Sequence, residues 1–179
     1  MKRLGFVGKM YYMNYIVKKL DKNDWEKYRD IRLEALKEEP DAFGSSYNEY
    51  KDKSDSYWMD RMFLSSEKNG KSFLCAVLDD NNFVSIGGAY QDENNEWNII
   101  AIYTKKESRG FGAGSLLFNK ILEELKNREI KKVFLRVNIE REPAISMYKK
   151  FGFKIMKSIS GQILGDDKIH DEYEMRLDL

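Results

Sequence analysis

The segment KESRGFGAG, residues 106–114, places three alternating glycines directly before a helical pattern. These glycines are Gly110, Gly112 and Gly114. Glycine weakens the start of a helix, so its repeated use there indicates that the backbone must approach another group closely. The apolar stretch of residues 96–104 precedes the glycines and is typical of a strand. We therefore predict a strand, a glycine-rich turn and a helix in succession.

A turn of this kind is suited to binding phosphate. Successive backbone N–H groups there form a concave anion site, and the positive end of the helix dipole strengthens it. The guanidinium of Arg109 adds a forked donor that matches phosphate, and Ser115 lies nearby. A Cβ atom at Gly112 or Gly114 would push a phosphate away. We therefore predict that residues 109–115 hold a phosphate group.

Two common phosphate-binding turns do not match this stretch. A Walker loop requires a lysine after its last glycine, whereas Ser115 follows Gly114 here. The G-x-G-x-x-G fingerprint of dinucleotide-binding proteins has another glycine spacing and belongs to a first β-α unit, whereas this turn lies past the middle of the chain. A nucleotide-phosphate binder of another fold stays open as an alternative.

Composition excludes several classes of function. The 179 residues include 31 Lys plus Arg and 30 Asp plus Glu, so the net charge favours neither a nucleic-acid nor a membrane partner. No apolar stretch reaches about 18 residues, the length that spans a bilayer. The single cysteine, Cys75, lies in the apolar run SFLCAVL, which predicts a buried thiol in a reducing cytoplasm. His170 is the only histidine, so we predict no metal site.

The rest of the chain predicts alternating strands and helices in the order β-α-α-β-β-β-α-β-α-β-β. Residues 41–50 are predicted to form a loop. A run of strands followed by strand–helix–strand implies a mixed sheet with helices on both faces. We treat residues 1–13 as an extension of unknown role and residues 14–179 as one domain. The helix after the glycine turn has one clear face, which is formed by Gly114, Leu117, Phe118, Ile121 and Leu125.

Several motifs together resemble the GNAT acetyltransferase superfamily. The pattern R-x-x-G-x-G, met by Arg109, Gly112 and Gly114, is similar to the pyrophosphate loop of that family. VNIEREPAISMYKKFGF (residues 137–153) resembles its second motif. RDIRLEALKEEPDAFGSSYNE and DEYEMRL resemble the first helix with its loop and the final strand of one bacterial group. The resemblance covers residues 14–179 and implies an α/β (α+β) fold with a mixed, largely antiparallel central sheet flanked by helices on both faces.

The resemblance also implies a reaction and a set of site residues. Members transfer an acetyl group from acetyl-CoA, as co-substrate, to a primary amine by direct attack. Tyr148 matches the general-acid tyrosine of the family, which would protonate the departing thiol. The backbones of Ile102 and Thr104 would pair with the pantetheine arm. The remaining cofactor-binding residues that the resemblance implies are Arg109, Gly110, Gly112, Gly114, Ser115 and Asn138.

Two positions depart from the family pattern. Many relatives place a carboxylate in the middle of the strand before the glycine turn, where this chain has Asn98, with Glu96 two residues earlier on the same face. Glu96 is therefore our candidate general base, directly or through water, and a solvated strand end is the alternative. Relatives often carry Asn where this chain has Arg141, which would either meet a cofactor phosphate or point into solvent.

The acceptor is open at this level, and a small-molecule or peptide amine fits equally. Phe43, Ser45 and Trp97 are candidate substrate contacts, because aromatic walls with a few polar groups are typical of pockets. The alternative function is a non-catalytic acyl-CoA-binding sensor on the same fold, since intact glycines with an undecided base fit it. The sequence does not decide whether the chain forms a homodimer.

Overall fold

The structure is a computed structural model that describes residues 14–67 and 70–179. The extension predicted for residues 1–13 lies outside the described residues. The strands are β1 (Ile16–Lys19), β2 (Ser72–Asp79), β3 (Asn82–Gln91), β4 (Trp97–Thr104), β5 (Lys132–Asn138), β6 (Lys154–Ile163) and β7 (Ile169–Asp178). The helices are α1 (Trp25–Glu38), α2 (Tyr47–Tyr50), α3 (Asp55–Ser66), α4 (Ala113–Asn127) and α5 (Glu142–Lys150).

The strands join into one sheet in the order β1-β2-β3-β4-β5-β7-β6. Every neighbouring pair is antiparallel except β4 and β5, which run parallel. These two strands pair at Trp97–Val133 and Asn98–Phe134, near their N-terminal ends, and no further along. The predicted fold class, a mixed and largely antiparallel sheet with helices, is confirmed. The gap that opens beyond Asn98 positions the site described below.

Both faces of the sheet are covered, and β2 shows why its sequence is continuously apolar. Phe73, Cys75 and Val77 belong to a core that also contains the buried face of α4. The alternate residues Leu74 and Ala76 belong to a second core with α1 and α3. A strand that is buried on both faces loses the usual polar–apolar alternation. Full burial of one such large apolar side chain contributes about 1.5–3 kcal/mol.

The segment between α1 and α3 differs from the prediction. Residues 41–50 contain a 3-10 turn, Pro40–Ala42, and the single-turn helix α2 instead of an unstructured loop. Ser46 accepts from the Glu49 backbone N–H, and the Glu49 side chain accepts in return from the Ser46 N–H. This capping box is readable as S-x-x-E, a signal that the sequence prediction overlooked.

None of the helices in the described part of the chain is both long and apolar enough to cross a membrane.

Candidate functional site

The glycine turn adopts a backbone conformation that side chains rarely take. Gly110 has φ +80° and Gly112 has φ +93°, both in the left-handed region that favours glycine. A Cβ atom added at either position would meet no atom within 4 Å. These two glycines are therefore required by the backbone conformation, and the space in front of them is open.

A row of backbone N–H groups lies at this turn without partners. The amides of residues 110–115 donate no hydrogen bond within the described chain, and Leu116 is the first to donate, to Gly112 O at 3.0 Å. Unpaired N–H groups at a helix N-terminus, with the positive end of the helix dipole, favour an anion. The turn therefore has the groups of a phosphate cradle.

Gly114 has a separate role at the start of α4. A Cβ atom there would lie 3.3 Å from the Oγ1 atom of Thr104, which itself is 2.8 Å from Ser85 Oγ. The missing side chain thus allows the first turn of α4 to approach β4 closely. Because of this approach, the N-terminus of α4 lies beside the C-terminal end of the strand.

The strand β4 contains a bulge that the sequence did not reveal. Ala101 and Ile102 together oppose Gly87 on β3, and Ala101 has φ +58°, which is rare for a residue with a side chain. The Ile102 side chain occupies the position that a Cβ atom on Gly87 would take. The bulge bends β4 at the point where β5 has separated from it.

A cavity of about 620 Å³, which we call the first cavity, occupies the gap between β4 and β5. Its walls are residues 99–104 of β4, residues 135–138 of β5 and the first two turns of α5. Of the predicted cofactor-binding residues, Ile102, Thr104, Arg109, Gly110, Gly112, Gly114, Ser115 and Asn138 all line it. The structure therefore brings every one of these residues to a single cavity.

Tyr148 on α5 also lines the first cavity. Its ring packs against Phe118 and Phe153, with ring centroids 5.5 Å and 6.1 Å away. Its hydroxyl makes no hydrogen bond to another described residue. Burial raises the pKa of Tyr148, because the charged phenolate would lose its hydration. The side chain is therefore a protonated donor throughout the neutral pH range.

Two arginines at the first cavity are held by acids from the segment after α1. Arg109 donates through Nε to Thr104 O at 2.9 Å and forms an ion pair with Glu39. Arg141 donates through Nη1 to the other Glu39 oxygen at 2.6 Å and binds Asp41 with Nε and Nη2. The Arg141 side chain thus lines the cavity and is tied to protein acids.

Asn138 connects the same segment to β5. Its Nδ2 atom donates to Asp41 O at 3.2 Å, and its Oδ1 atom accepts from the Glu140 N–H at 2.9 Å. The side chain is almost fully buried, so these bonds hold the segment that follows α1 against the sheet. The structure thus gives Asn138 a positioning role at the cavity wall.

A second cavity of about 440 Å³ adjoins the first. The two share Ala42, Phe43, residues 99–101 and Arg136 as lining residues. Of the predicted substrate contacts, Phe43 and Ser45 line this second cavity. It is also lined by five charged residues that the sequence analysis did not single out, which are Arg32, Arg61, Asp92, Arg136 and Glu172.

Glu96 and Trp97 lie away from both cavities. The Glu96 carboxylate receives a hydrogen bond from Lys132 Nζ at 2.6 Å, at the partly exposed start of β4. Trp97 is buried in the core, 6.0 Å from the Phe73 ring and 5.3 Å from the Arg128 guanidinium. Neither side chain lines either of these two cavities: Glu96 is partly exposed and paired with Lys132, and Trp97 is packed in the core.

Glu172 on β7 is the carboxylate that the structure brings to the second cavity instead. It is half-buried, and its carboxylate has no hydrogen bond or ion pair with another described residue. Burial raises the pKa of Glu172, and the charges of Arg136 and His170 offset only part of that rise. Its alternation with Tyr173 and Met175 places it on the opposite face of β7, but no sequence signal indicates what that face meets.

The lone thiol lies away from both cavities. Cys75 is fully buried in the core, and burial raises the pKa of its thiol to about 12. No group of three or more His, Cys, Asp or Glu side chains among the described residues is arranged to hold a metal ion.

The profile of the Acetyltransferase (GNAT) family matches residues 25–153, a span that contains the glycine turn and Tyr148. The chain belongs to the GNAT acetyltransferase family. An uncharacterized N-acetyltransferase of Methanocaldococcus jannaschii is 27% identical over 157 residues, which is 82% of this chain and 64% of that relative. This GNAT protein therefore spans just under two thirds of the relative's length.

Solved structures support the GNAT fold. A GNAT-family acetyltransferase from Streptococcus pneumoniae superposes with a TM-score of 0.80 at 17% identity, covering 93% of this chain and 100% of that chain. A putative acetyltransferase from Salmonella typhimurium, solved with its cofactor acetyl-CoA, has a TM-score of 0.75 at 13% identity. The match covers 93% of this chain and 94% of that chain. At these identities the likeness shows the fold alone.

Proposed function

We propose that this GNAT protein is an N-acetyltransferase that moves an acetyl group from acetyl-CoA to a primary amine by direct attack of the amine. The observation that carries the proposal is the row of unpaired backbone N–H groups, residues 110–115, beside the first cavity. The family membership and the acetyl-CoA in the Salmonella typhimurium neighbour agree with this reading.

The residues of the first cavity fit the coenzyme in two respects. The amides of residues 110–115 match the diphosphate, since the left-handed glycines leave open space in front of them. The edge of β4 beyond Asn98 has no β5 partner, so it is free to pair with an extended pantetheine arm. The Thr104 carbonyl already accepts from Arg109, so we assign that pairing to the edge around Ile102. Acetyl-CoA supplies an acetyl group that is already activated as a thioester.

Tyr148 is the proposed acid. It lines the first cavity with a protonated hydroxyl that no other described residue engages. A phenol in this position donates a hydrogen bond to the sulfur of the departing thiol and supplies its proton. Neither a cysteine nor a histidine of the described residues lines this cavity, which favours direct attack over an acyl-enzyme.

Glu172 is the proposed base, in place of Glu96. A base must reach the proton of the attacking ammonium, and Glu172 lines the cavity that adjoins the β4–β5 gap whereas Glu96 is engaged by Lys132. Desolvation moves the pKa of Glu172 upward, toward the range in which a carboxylate accepts a proton near neutral pH.

The test is a thiol-release assay with the purified full chain. Acetyl-CoA is mixed with a panel of polyamines, amino acids, aminoglycosides and short peptides, and free CoA is measured against a control without acceptor. We expect acceptor-dependent release for at least one member. CoA binding by calorimetry without turnover on any acceptor would contradict the enzyme and favour the acyl-CoA sensor. Absence of CoA binding would overturn both.

A further inference from the structure

The second cavity contains two arginines without acidic partners. Arg32 comes from α1 and Arg61 from α3, and both line the cavity. Neither lies within ion-pair distance of a carboxylate among the residues that the structure describes. Most other arginines of the described chain, such as Arg29 and Arg141, do form such pairs. Among the described arginines that line either cavity, only these two lack such a pair. Arg128, which donates to Gly70 O outside both cavities, is the other described arginine without one.

Arg32 is buried to a degree that is unusual for an unpaired charge. Its relative exposure is 6%, and its Nη1 atom is buried without a hydrogen-bond partner. Its guanidinium stacks on Phe43, 4.4 Å from the ring centroid. Desolvation lowers the pKa of Arg32, and the charge of Arg61 lowers it further. An isolated buried charge destabilises the fold unless an anion accompanies it.

Arg61 is surrounded by hydroxyl groups instead of acids. The pKa of Arg61 is raised, chiefly by Tyr28 and also by Tyr57 and Tyr50. Tyr50 lines the second cavity with the two arginines. This end of the cavity therefore offers positive charge and hydroxyl donors, which is the composition of an anion-binding pocket.

The opposite charge in the second cavity comes from the other half of the sheet. Helices α1 and α3 pack on β3 and β2, whereas Glu172 lies on β7, beyond the gap between β4 and β5. The only other acid that lines the cavity among the described residues, Asp92, is already used: it accepts from the Asn94 and Glu96 N–H groups and from Asn98 Nδ2. The third arginine that lines the cavity, Arg136, lies 3.9 Å from a Glu174 oxygen. Glu172 is thus the free negative group, and Arg32 and Arg61 are the positive groups without an ion pair.

We propose that the acceptor is a small amine carrying an anionic oxygen group, a carboxylate or a phosphate, which Arg32 and Arg61 bind while the amine faces Glu172. This inference rests on the proposed function and specifies its substrate class. The forked guanidinium matches both oxyanions, and a guest of this kind supplies the anionic partner that Arg32 and Arg61 lack in the cavity they line. Polyamines and simple alkylamines lack an anionic oxygen group, so we expect them to be poor acceptors.

The experiment compares acceptors that differ only in the anionic group. The standard amino acids are tested against their carboxamides, and phosphoethanolamine against ethanolamine, with acetyl-CoA and the full chain. We expect kcat/KM for the preferred anionic acceptor to exceed that of its neutral analogue by about tenfold to a hundredfold, the value of one charge-assisted hydrogen-bonded contact. The two pairs separate a carboxylate from a phosphate.

Variants connect that preference to the arginines. Arg61→Gln and the near-isosteric Arg32→Met are expected to reduce the ratio of kcat/KM for the acid to that for its neutral analogue by about tenfold. Arg29→Gln is the matched control, because Arg29 lies on α1 outside both cavities and pairs with Asp30 and Asp55. If Arg32→Met does not fold, Arg61→Gln alone decides the point, since Arg61 is only partly buried.

A binding readout separates this inference from the proposed function. The same pairs are titrated against the CoA complex by calorimetry, which requires no turnover. Preferential binding of an anionic acceptor that Arg61→Gln abolishes supports the inference even without acetylation, in which case only the proposed activity fails. Equal turnover and equal binding of anionic and neutral analogues, or no binding of any anionic amine, would overturn it.

Discussion

Arg141 and Asp41 form a two-point ion pair across the wall of the first cavity: Nε donates to Oδ2 at 3.0 Å and Nη2 donates to Oδ1. The pair ties the turn Pro40–Ala42, which follows α1, to the start of α5. Burial would raise the pKa of Asp41, but the hydrogen bond and charge of Arg141 outweigh it and lower that pKa below 3.8. The contact between this turn and α5 at the wall of the first cavity therefore depends in part on the charge of the Asp41 carboxylate.

Asp41→Asn is expected to lower the free energy of unfolding by about 0.5–1 kcal/mol at neutral pH, a modest value because the pair is partly solvated. The folded-state pKa is lowered, so this contribution is present above the unfolded pKa and disappears as the pH falls through the folded one. Urea denaturation of both proteins at about pH 7 and about pH 3 measures it. Asp30→Asn, which removes the exposed partner of Arg29, is the control. If Asp41→Asn lowers the free energy of unfolding equally at both pH values, the loss does not come from the Arg141–Asp41 ion pair.

Gly112→Ala and Gly161→Ala form a matched pair for the glycine turn. Both glycines have positive φ, +93° and +74°, and a Cβ atom at either would meet nothing within 4 Å. Each variant is expected to lose about 1–2 kcal/mol of stability through backbone strain. Only Gly112→Ala should weaken acetyl-CoA binding, by about tenfold or more, because its Cβ projects where the phosphates bind. If calorimetry shows that both variants change the Kd for acetyl-CoA equally, the turn does not bind the coenzyme.

Tyr148→Phe is expected to lower kcat by about a hundredfold and to leave the acetyl-CoA KM near its original value. The ring that packs on Phe118 is kept, and the lost hydroxyl has no hydrogen bond with another described residue, so stability should change little. Tyr47→Phe, in the other core and outside both cavities, controls for the loss of a tyrosine hydroxyl. An undiminished kcat for Tyr148→Phe would exclude it as the acid.

Glu172→Gln tests the base through the pH profile. The pKa of Glu172 is raised above 4.5, so wild-type kcat/KM should rise with pH through that raised value as the carboxylate loses its proton. Glu172→Gln should lower kcat by about a hundredfold and remove this acidic limb. Glu96→Gln carries the same substitution outside the cavities and should retain both. The reverse result would restore Glu96 as the base.

The motifs that are local in sequence were predicted from sequence alone. The spacing of Leu117, Phe118, Ile121 and Leu125 predicts the buried face of α4, because a helix brings such positions to one side. The glycine turn and Tyr148 lie in short motifs whose residues stay neighbours in any fold. They were therefore recognised together with the family.

The charged residues of the second cavity could be found only in part. Arg32 follows Tyr28 by four residues and precedes Leu36 by four, so its place on the buried face of α1 was readable. The sequence did not indicate that Arg32 would lack an acidic partner, because ion-pair partners come from distant segments of the chain. Glu96 was chosen because it lies two residues before Asn98 on the same face of the strand, but its carboxylate forms an ion pair with Lys132, which is distant in sequence.

The sequence alone indicates the order of the strands and longer helices, the mixed sheet with helices on both faces and the glycine-rich turn before α4, since periodicity and glycine spacing act over a few residues. Tertiary structure alone decided the bulge at Ala101, where an alanine is held at positive φ by the strands around it. It also decided which carboxylate faces the cavity, because Glu172 reaches that position only when β7 inserts between β5 and β6. Such juxtapositions depend on contacts between residues far apart in the chain, which no local pattern encodes.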